Sequence, residues 1–271
     1  MRVWVLGSGS RGNALLLECG ESRVLVDAGF PAGTIGKRLR SIGVAPESLE
    51  AVIVTHEHSD HLCGAADGAR RFGWTVLATR GTVRASESLS EAGARAFEAG
   101  STLSFTHVDV ATIPTRHDAA EPVALVATER RSGARAGIVY DLGCATAEVR
   151  RAMRRLDLLV LESNHDEVML RTGPYPWFLK RRIAGSSGHL SNDAAGELAR
   201  DACHPGLREV VLAHLSEINN TPAAAVAVMN GALRRSAFRG QVAHAPQRLV
   251  VGPFGPGAVA GRPDAQLSLA L

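Results

Sequence analysis

Three imidazoles and the carboxylate of Asp60 fall within six positions in His56-Glu57-His58-Ser59-Asp60-His61, directly after the apolar run Ala51-Val52-Ile53-Val54-Thr55. A strand that ends in such a cluster presents several metal ligands at one point in space. Imidazole nitrogens and carboxylate oxygens suit zinc, manganese, iron or nickel, and two ligand groups this close can fill two adjacent ions. The order His-x-His-x-Asp-His follows a buried-strand pattern rather than a polar tract, which points to a dinuclear metal centre instead of an exposed histidine-rich turn.

A pair of ions needs more ligands than one loop supplies. Further His and Asp residues stand at the ends of other apolar runs: His117 in Pro114-Thr115-Arg116-His117-Asp118, Asp141 after Gly137-Ile138-Val139-Tyr140, His214 after Val210-Val211-Leu212-Ala213, and Asp27 shortly before Gly29. Singly, each also reads as a polar loop residue or a turn former. In series, Asp, His-x-His-x-Asp-His, His, Asp and His, each after a strand, resemble the metallo-β-lactamase superfamily over about residues 2–251. That resemblance implies an α/β fold, a four-layer αβ/βα sandwich of two mixed sheets flanked by helices. It implies that His56, His58 and His117 hold one ion, that Asp60, His61 and His214 hold the other, that Asp141 bridges them, and that Asp27 orients ligands by hydrogen bonds.

Four further stretches narrow the match: Ser8-Gly9-Ser10-Arg11-Gly12-Asn13, Glu162-Ser163-Asn164-His165-Asp166, Gly188-His189-Leu190-Ser191-Asn192 and His214-Leu215-Ser216-Glu217-Ile218-Asn219-Asn220. Together they resemble the YycJ/WalJ-like family, and the same core is similar to ribonuclease Z and to phosphoribosyl cyclic phosphodiesterases. The implied activity is a metal-dependent phosphodiesterase, a nuclease acting on DNA from a 5′ end with a hydroxide between two divalent ions, zinc or manganese, as nucleophile. The implied partner is nucleic acid, DNA before RNA, or a small phosphodiester. Asp60, His189 and Asp141 form the expected catalytic set, with His189 facing the scissile phosphate rather than serving a helix end. Ser10, Asn13, His165, Ser191 and Asn192 are expected at the substrate, and a structural role for His165 weighs equally.

Two other functions compete. Thioester or lactone hydrolysis, as in glyoxalase II-like relatives, needs nearly the same ligands, and a non-catalytic nucleic-acid-binding or regulatory module on the same fold needs none of them intact. The unbroken ligand series argues against the second. Gly7-Ser8-Gly9-Ser10-Arg11-Gly12 matches the dinucleotide fingerprint, with Asp27 near the expected acidic position. However, a short apolar run follows the glycines where the fingerprint requires a helix N-terminus, so a nicotinamide enzyme is rejected.

The elements that must position these side chains alternate between strand and helix patterns. Strands are expected at 3–6, 14–18, 24–27, 51–55, 75–78, 108–113, 123–128, 136–140, 158–162 and 209–213, and helices at 35–42, 62–72, 147–156, 175–183, 193–203 and 222–235. Residues 1–252 read as one hydrolase domain and 253–271, rich in Gly and Pro, as a flexible tail. With 271 residues and 45% hydrophobic content the chain can build a substantial core, and its longest apolar runs are strand-length. No membrane partner is implied. Cys19, Cys63, Cys144 and Cys203 show no Cys-x-x-Cys pair, so a cytoplasmic location with free thiols is expected, Cys63 being a small buried residue at a helix start. A net charge of +3 permits a polyanionic substrate without indicating one. The segment from Arg171 to Arg182 mixes aromatics with cations. It reads either as a base-stacking surface or, as the fuller explanation, as an amphipathic helix with Trp177 and Phe178 inward.

Overall fold

Successive side chains of a strand point to opposite faces, and here the apolar ones occupy both. Val3, Val5, Leu15, Leu17, Val24 and Val26 pack into one central core, whereas Leu6, Leu16 and Leu25 pack into another with helical residues. Such strands must be covered twice, which dictates a layered architecture.

The computed structural model describes residues 1–257. Strands β1 (Arg2–Gly7), β2 (Ala14–Cys19), β3 (Ser22–Val26), β4 (Ala51–Val54), β5 (Val76–Thr79) and β6 (Arg95–Phe97) lie side by side in chain order. A second sheet runs β7 (Thr102–Ser104), β8 (Val108–Pro114), β9 (Val123–Glu129), β10 (Arg135–Val139), β11 (Leu158–Glu162), β12 (Glu209–Ala213) and β13 (Gln241–His244). The last strand, β14 (Val251–Phe254), returns to the first sheet and pairs with β1. Each sheet thus has seven strands, three antiparallel pairings followed by three parallel ones.

Helices α1 (Ala32–Ser41), α2 (Ser59–Leu62), α3 (Ala65–Phe72), α4 (Arg80–Ala85) and α5 (Glu87–Glu91) belong to the first half, and Ile35, Leu39, Phe72 and Leu89 cover that sheet's outer face. In the second half follow α6 (Ala147–Ala152), α7 (Glu167–Thr172), α8 (Trp177–Ile183), α9 (Asn192–Ala202) and α10 (Pro222–Leu233). Val149, Leu198 and Met229 cover the second sheet from outside. Between the sheets, Leu17, Val26 and Ile53 meet Leu125, Ile138 and Val160, giving the expected four-layer αβ/βα sandwich. Among the described residues no helix is long and apolar enough to cross a membrane.

Several expectations need correction. The helix expected over 62–72 is interrupted at Cys63 and Gly64, because the Gly64 N–H donates to Ala28 O at 2.8 Å and a side chain there would strike the Phe30 carbonyl. Cys63 is exposed rather than buried, its thiol donating to Gly29 O at 3.2 Å. The tail expected from residue 253 begins inside β14, and the Gly257 N–H donates to Met1 O at 2.9 Å; residues 258–271 lie outside the described residues. Trp177 and Phe178 do not turn inward, and α8 has no buried residue at all.

Direction matters for the site. β3 and β4 are parallel, as are β10, β11 and β12, and β8 regains the direction of β10 through two antiparallel pairings with β9. Within each sheet the carboxyl ends of these strands therefore share one edge, the place where open α/β sheets bind ligands.

Candidate metal centre

Every expected ligand lies at one of those carboxyl ends. Asp27 follows β3, the His56 motif follows β4, His117 follows β8, Asp141 follows β10, and His214 follows β12. Asp27, Asp141 and His214 adopt φ of 60°, 43° and 53°, three of the four non-glycine residues with positive φ among the described residues. Asp and His tolerate this left-handed conformation better than most residues, and its clustering at one edge marks backbone held in place for what its side chains do.

Two groups of donor atoms result, each with all its atoms within 4.8 Å of one another: His56, His58 and His117, and Asp60, His61, Asp141 and His214. Asp141 stands between them, its Oδ2 2.5 Å from His61 Nε2 and 3.4 Å from His56 Nε2, and its Oδ1 2.6 Å from His214 Nδ1. Glu57, inside the motif, turns away and accepts the Ala120 N–H at 2.6 Å.

Neighbours fix the rings. Asp27 is fully buried, and its Oδ2 lies 2.8 Å from His61 Nδ1 while its carboxylate also accepts the Thr55 N–H and hydroxyl. His117 Nδ1 lies 2.9 Å from Gly188 O, and His56 Nδ1 lies 3.0 Å from the Thr55 hydroxyl. Such partners set which ring nitrogen is free to face the centre. The close approach of three loops is needed as well. Asn13 N–H donates to Asp60 O at 2.8 Å and Gly29 N–H donates to Asn13 O at 2.9 Å, and a Cβ on Gly29 would collide with the Asp60 carbonyl.

Of the side chains expected at the substrate, Ser10 lines the cleft. Asn13 is instead buried and spent on holding the loop: its Oδ1 accepts from the Ser8 hydroxyl and Gly9 N–H, and its Nδ2 lies 3.1 Å from His61 Nε2. Ser191 caps α9 and donates to Glu167, Asn192 is buried against Ser163 and Asn220, and His165 is buried beside Ser191. These four support the cleft's walls rather than its surface.

One functional group escaped sequence reasoning. Glu162, fully buried at the end of β11, lies 2.7 Å from His189 Nδ1 and 3.2 Å from His214 Nδ1, and its other oxygen accepts the Leu142 and Leu190 N–H groups. Asp141, Glu162, His189 and His214 form a third donor group. The signal was available: a carboxylate closing the wholly apolar run Leu158-Leu159-Val160-Leu161 cannot be buried without partners.

The electrostatics follow from carboxylates buried among imidazoles. Burial opposes charge on His61, yet the Asp141 and Asp27 carboxylates outweigh it and push this ring up to about 10. His214 is likewise raised against burial by Asp141. Burial opposes the Glu162 anion, but His189 draws it down to about 2, and burial opposes charge on His189, which Glu162 and Asp141 push up to about 9. His56 goes the other way: burial, and then the neighbouring His61 charge, hold it well below the usual imidazole value. The pocket demands positive charge that buried anions must find somewhere.

The residues fit divalent ions. His56 Nε2 and His214 Nε2 are buried with no hydrogen-bond partner, both face Asp141 or Asp60 oxygens, and the donor set is all nitrogen and oxygen.

A fold of two facing mixed sheets with His and Asp gathered at its strand ends defines a class of metal-binding hydrolase folds. Residues 7–151 match the model of the metallo-beta-lactamase superfamily, and the chain belongs to that family. More particularly, it is 33% identical over 222 residues to the exodeoxyribonuclease WalJ of Streptococcus pneumoniae, covering 80% of this chain and 82% of that protein. It is also 33% identical over 220 residues to the exodeoxyribonuclease YycJ of Bacillus anthracis, covering 80% of this chain and 83% of that one. The fold is shared with the metallo-beta-lactamase fold protein YhfI of Bacillus subtilis, at a TM-score of 0.69 and 21% identity over 92% of this chain and 98% of the other. Human tRNase Z, short form, shares it at a TM-score of 0.64 and 15% identity over 94% and 100%.

Proposed function

We propose that this chain is a dinuclear metal-dependent phosphodiesterase that degrades DNA from an end. The observation that carries the reading is the Asp141 carboxylate set between a three-histidine group and a group of Asp60, His61 and His214. His56, His58 and His117 would hold one ion, Asp60, His61 and His214 the other, and Asp141 both, with zinc and manganese each compatible with these donors. When bound, such a pair supplies Lewis acidity, making water nucleophilic near neutral pH and offsetting phosphate charge. The exodeoxyribonuclease relatives support DNA as the substrate.

The chain's own residues do the rest. Asp27 orients His61, and Gly188 O orients His117. His189, on the wall of the cleft, has Nδ1 taken by Glu162, so Nε2 is the ring atom presented to a substrate. There it donates a proton to the departing alcohol oxygen or a hydrogen bond to the developing charge. Ser10 lines the same cleft and offers a hydroxyl to the phosphate. Four free cysteines suit work in the reducing cytoplasm.

A matched panel tests the reading: end-labelled single- and double-stranded DNA, RNA, a cyclic nucleotide and a thioester, each with zinc and with manganese. Mononucleotide release from DNA ends is expected, with His189→Ala slowing turnover while both metals stay bound. Thioester turnover far above that for DNA would overturn it.

A further inference from the structure

Helix α8 puts aromatic rings where a core-packed helix would not. Trp177 and Phe178 are 68% and 70% exposed, adjacent on its first turn, with Pro174 and Pro176 shaping the approach. The Arg181 guanidinium lies 4.6 Å from the centroid of the Trp177 ring. Arg171, Lys180, Arg181 and Arg182 accompany the rings, and no acidic residue occurs between Glu167 and Asp193. Lys180 donates to the Arg171 carbonyl at 2.8 Å and Arg182 to Asp118 at 2.6 Å, which leaves the Arg181 and Arg171 charges outward.

The helix is also continuous with the catalytic cleft. Tyr175, Leu179, Arg182 and Ile183 line the same cavity as Asp60 and His189, so the short segment that carries the exposed rings also walls the cleft with its other face. Resting on the phosphodiesterase reading, we infer that α8 is a stacking platform for single-stranded DNA, over which the strand reaches the metal centre. Bases of any sequence stack on exposed rings, and neighbouring arginines pair with the phosphates between them. Aromatic rings alone would suit a second copy of this chain equally. A two-fold contact, however, sets a patch against itself, bringing the outward Arg171 and Arg181 charges onto their own image. Polyanion is the occupant that its charge fits.

The test is binding of a labelled oligothymidylate to the full chain in EDTA, read by anisotropy and by tryptophan emission, so that no cleavage is needed. The affinity is expected to fall about tenfold in Trp177→Ala and to stay within about twofold of the parent in Trp177→Phe. Arg181→Gln should lower the slope of log affinity against log salt by about 0.7. Emission should be quenched by DNA in the parent and not in Trp177→Phe, since Trp74 is buried and Trp4 half-buried. Equal affinity of the parent and Trp177→Ala, or a parent dimer that Trp177→Ala dissociates, overturns the inference. DNA binding by a parent protein that cleaves no DNA would sink the proposed function and leave the platform standing.

Discussion

Glu162 Oε1 lies 2.7 Å from His189 Nδ1 and 3.2 Å from His214 Nδ1, so one buried carboxylate at the end of β11 sets the orientation of two rings with different tasks. Its other oxygen takes the Leu142 and Leu190 N–H groups, which fixes the carboxylate itself. The rim of the metal centre and the proposed proton donor are therefore built on one support.

Glu162→Gln keeps the shape and removes the charge. Its oxygen can still take the two backbone donors, but its NH₂ group then faces ring nitrogens that need an acceptor. The turnover number on DNA should fall about 10–100-fold with the Michaelis constant little changed. Steady-state kinetics on an end-labelled duplex checks this; turnover within twofold of the parent would show that His189 does not depend on Glu162.

Asp27→Asn separates geometry from charge at His61. Asn also tolerates the left-handed backbone found here, and it can still accept the Thr55 N–H. Metal affinity should drop about 10–100-fold and activity should return at high metal concentration. Titration against a metal buffer decides, and unchanged affinity would remove Asp27 from the ligand-orienting role.

Gly29→Ala tests the three-loop junction. Its Cβ would meet the Asp60 carbonyl, so the loops carrying Asn13, Asp27 and Asp60 must separate. A loss of about 1–3 kcal/mol in urea unfolding is expected, accompanied by weaker metal retention. A variant as stable and as metal-replete as the parent would mean that the junction yields freely.

How far the chain announces all this differs from element to element. His56, Asp141 and His214 were legible as candidate ligands because each stands just past an apolar run, and His58, Asp60, His61 and His117 because they follow in the loops opened at such runs, in the order that the family resemblance supplies. Glu162 also closes an apolar run, but its role was not legible because its partners His189 and His214 lie far along the chain and meet it only on folding. Asn13 read as a substrate contact because its polarity is local, whereas its bonds to Asp60 and His61 are made only by folding. The short strands β6, β7, β13 and β14 have weak patterns of their own; β14 contains Gly252 and Pro253 and exists through pairing with β1. For α8 the mixture of rings and cations fitted an amphipathic helix, but periodicity cannot say whether a core waits beneath it.

The most direct measurement is metal content by elemental analysis of the purified chain after loading and dialysis, for the parent and for Asp141→Ala. Two equivalents of zinc or manganese per chain are expected in the parent, falling to one or fewer when the shared carboxylate is lost. A parent that retains one equivalent or none, or an Asp141→Ala protein that keeps two, would contradict a dinuclear centre at these strand ends.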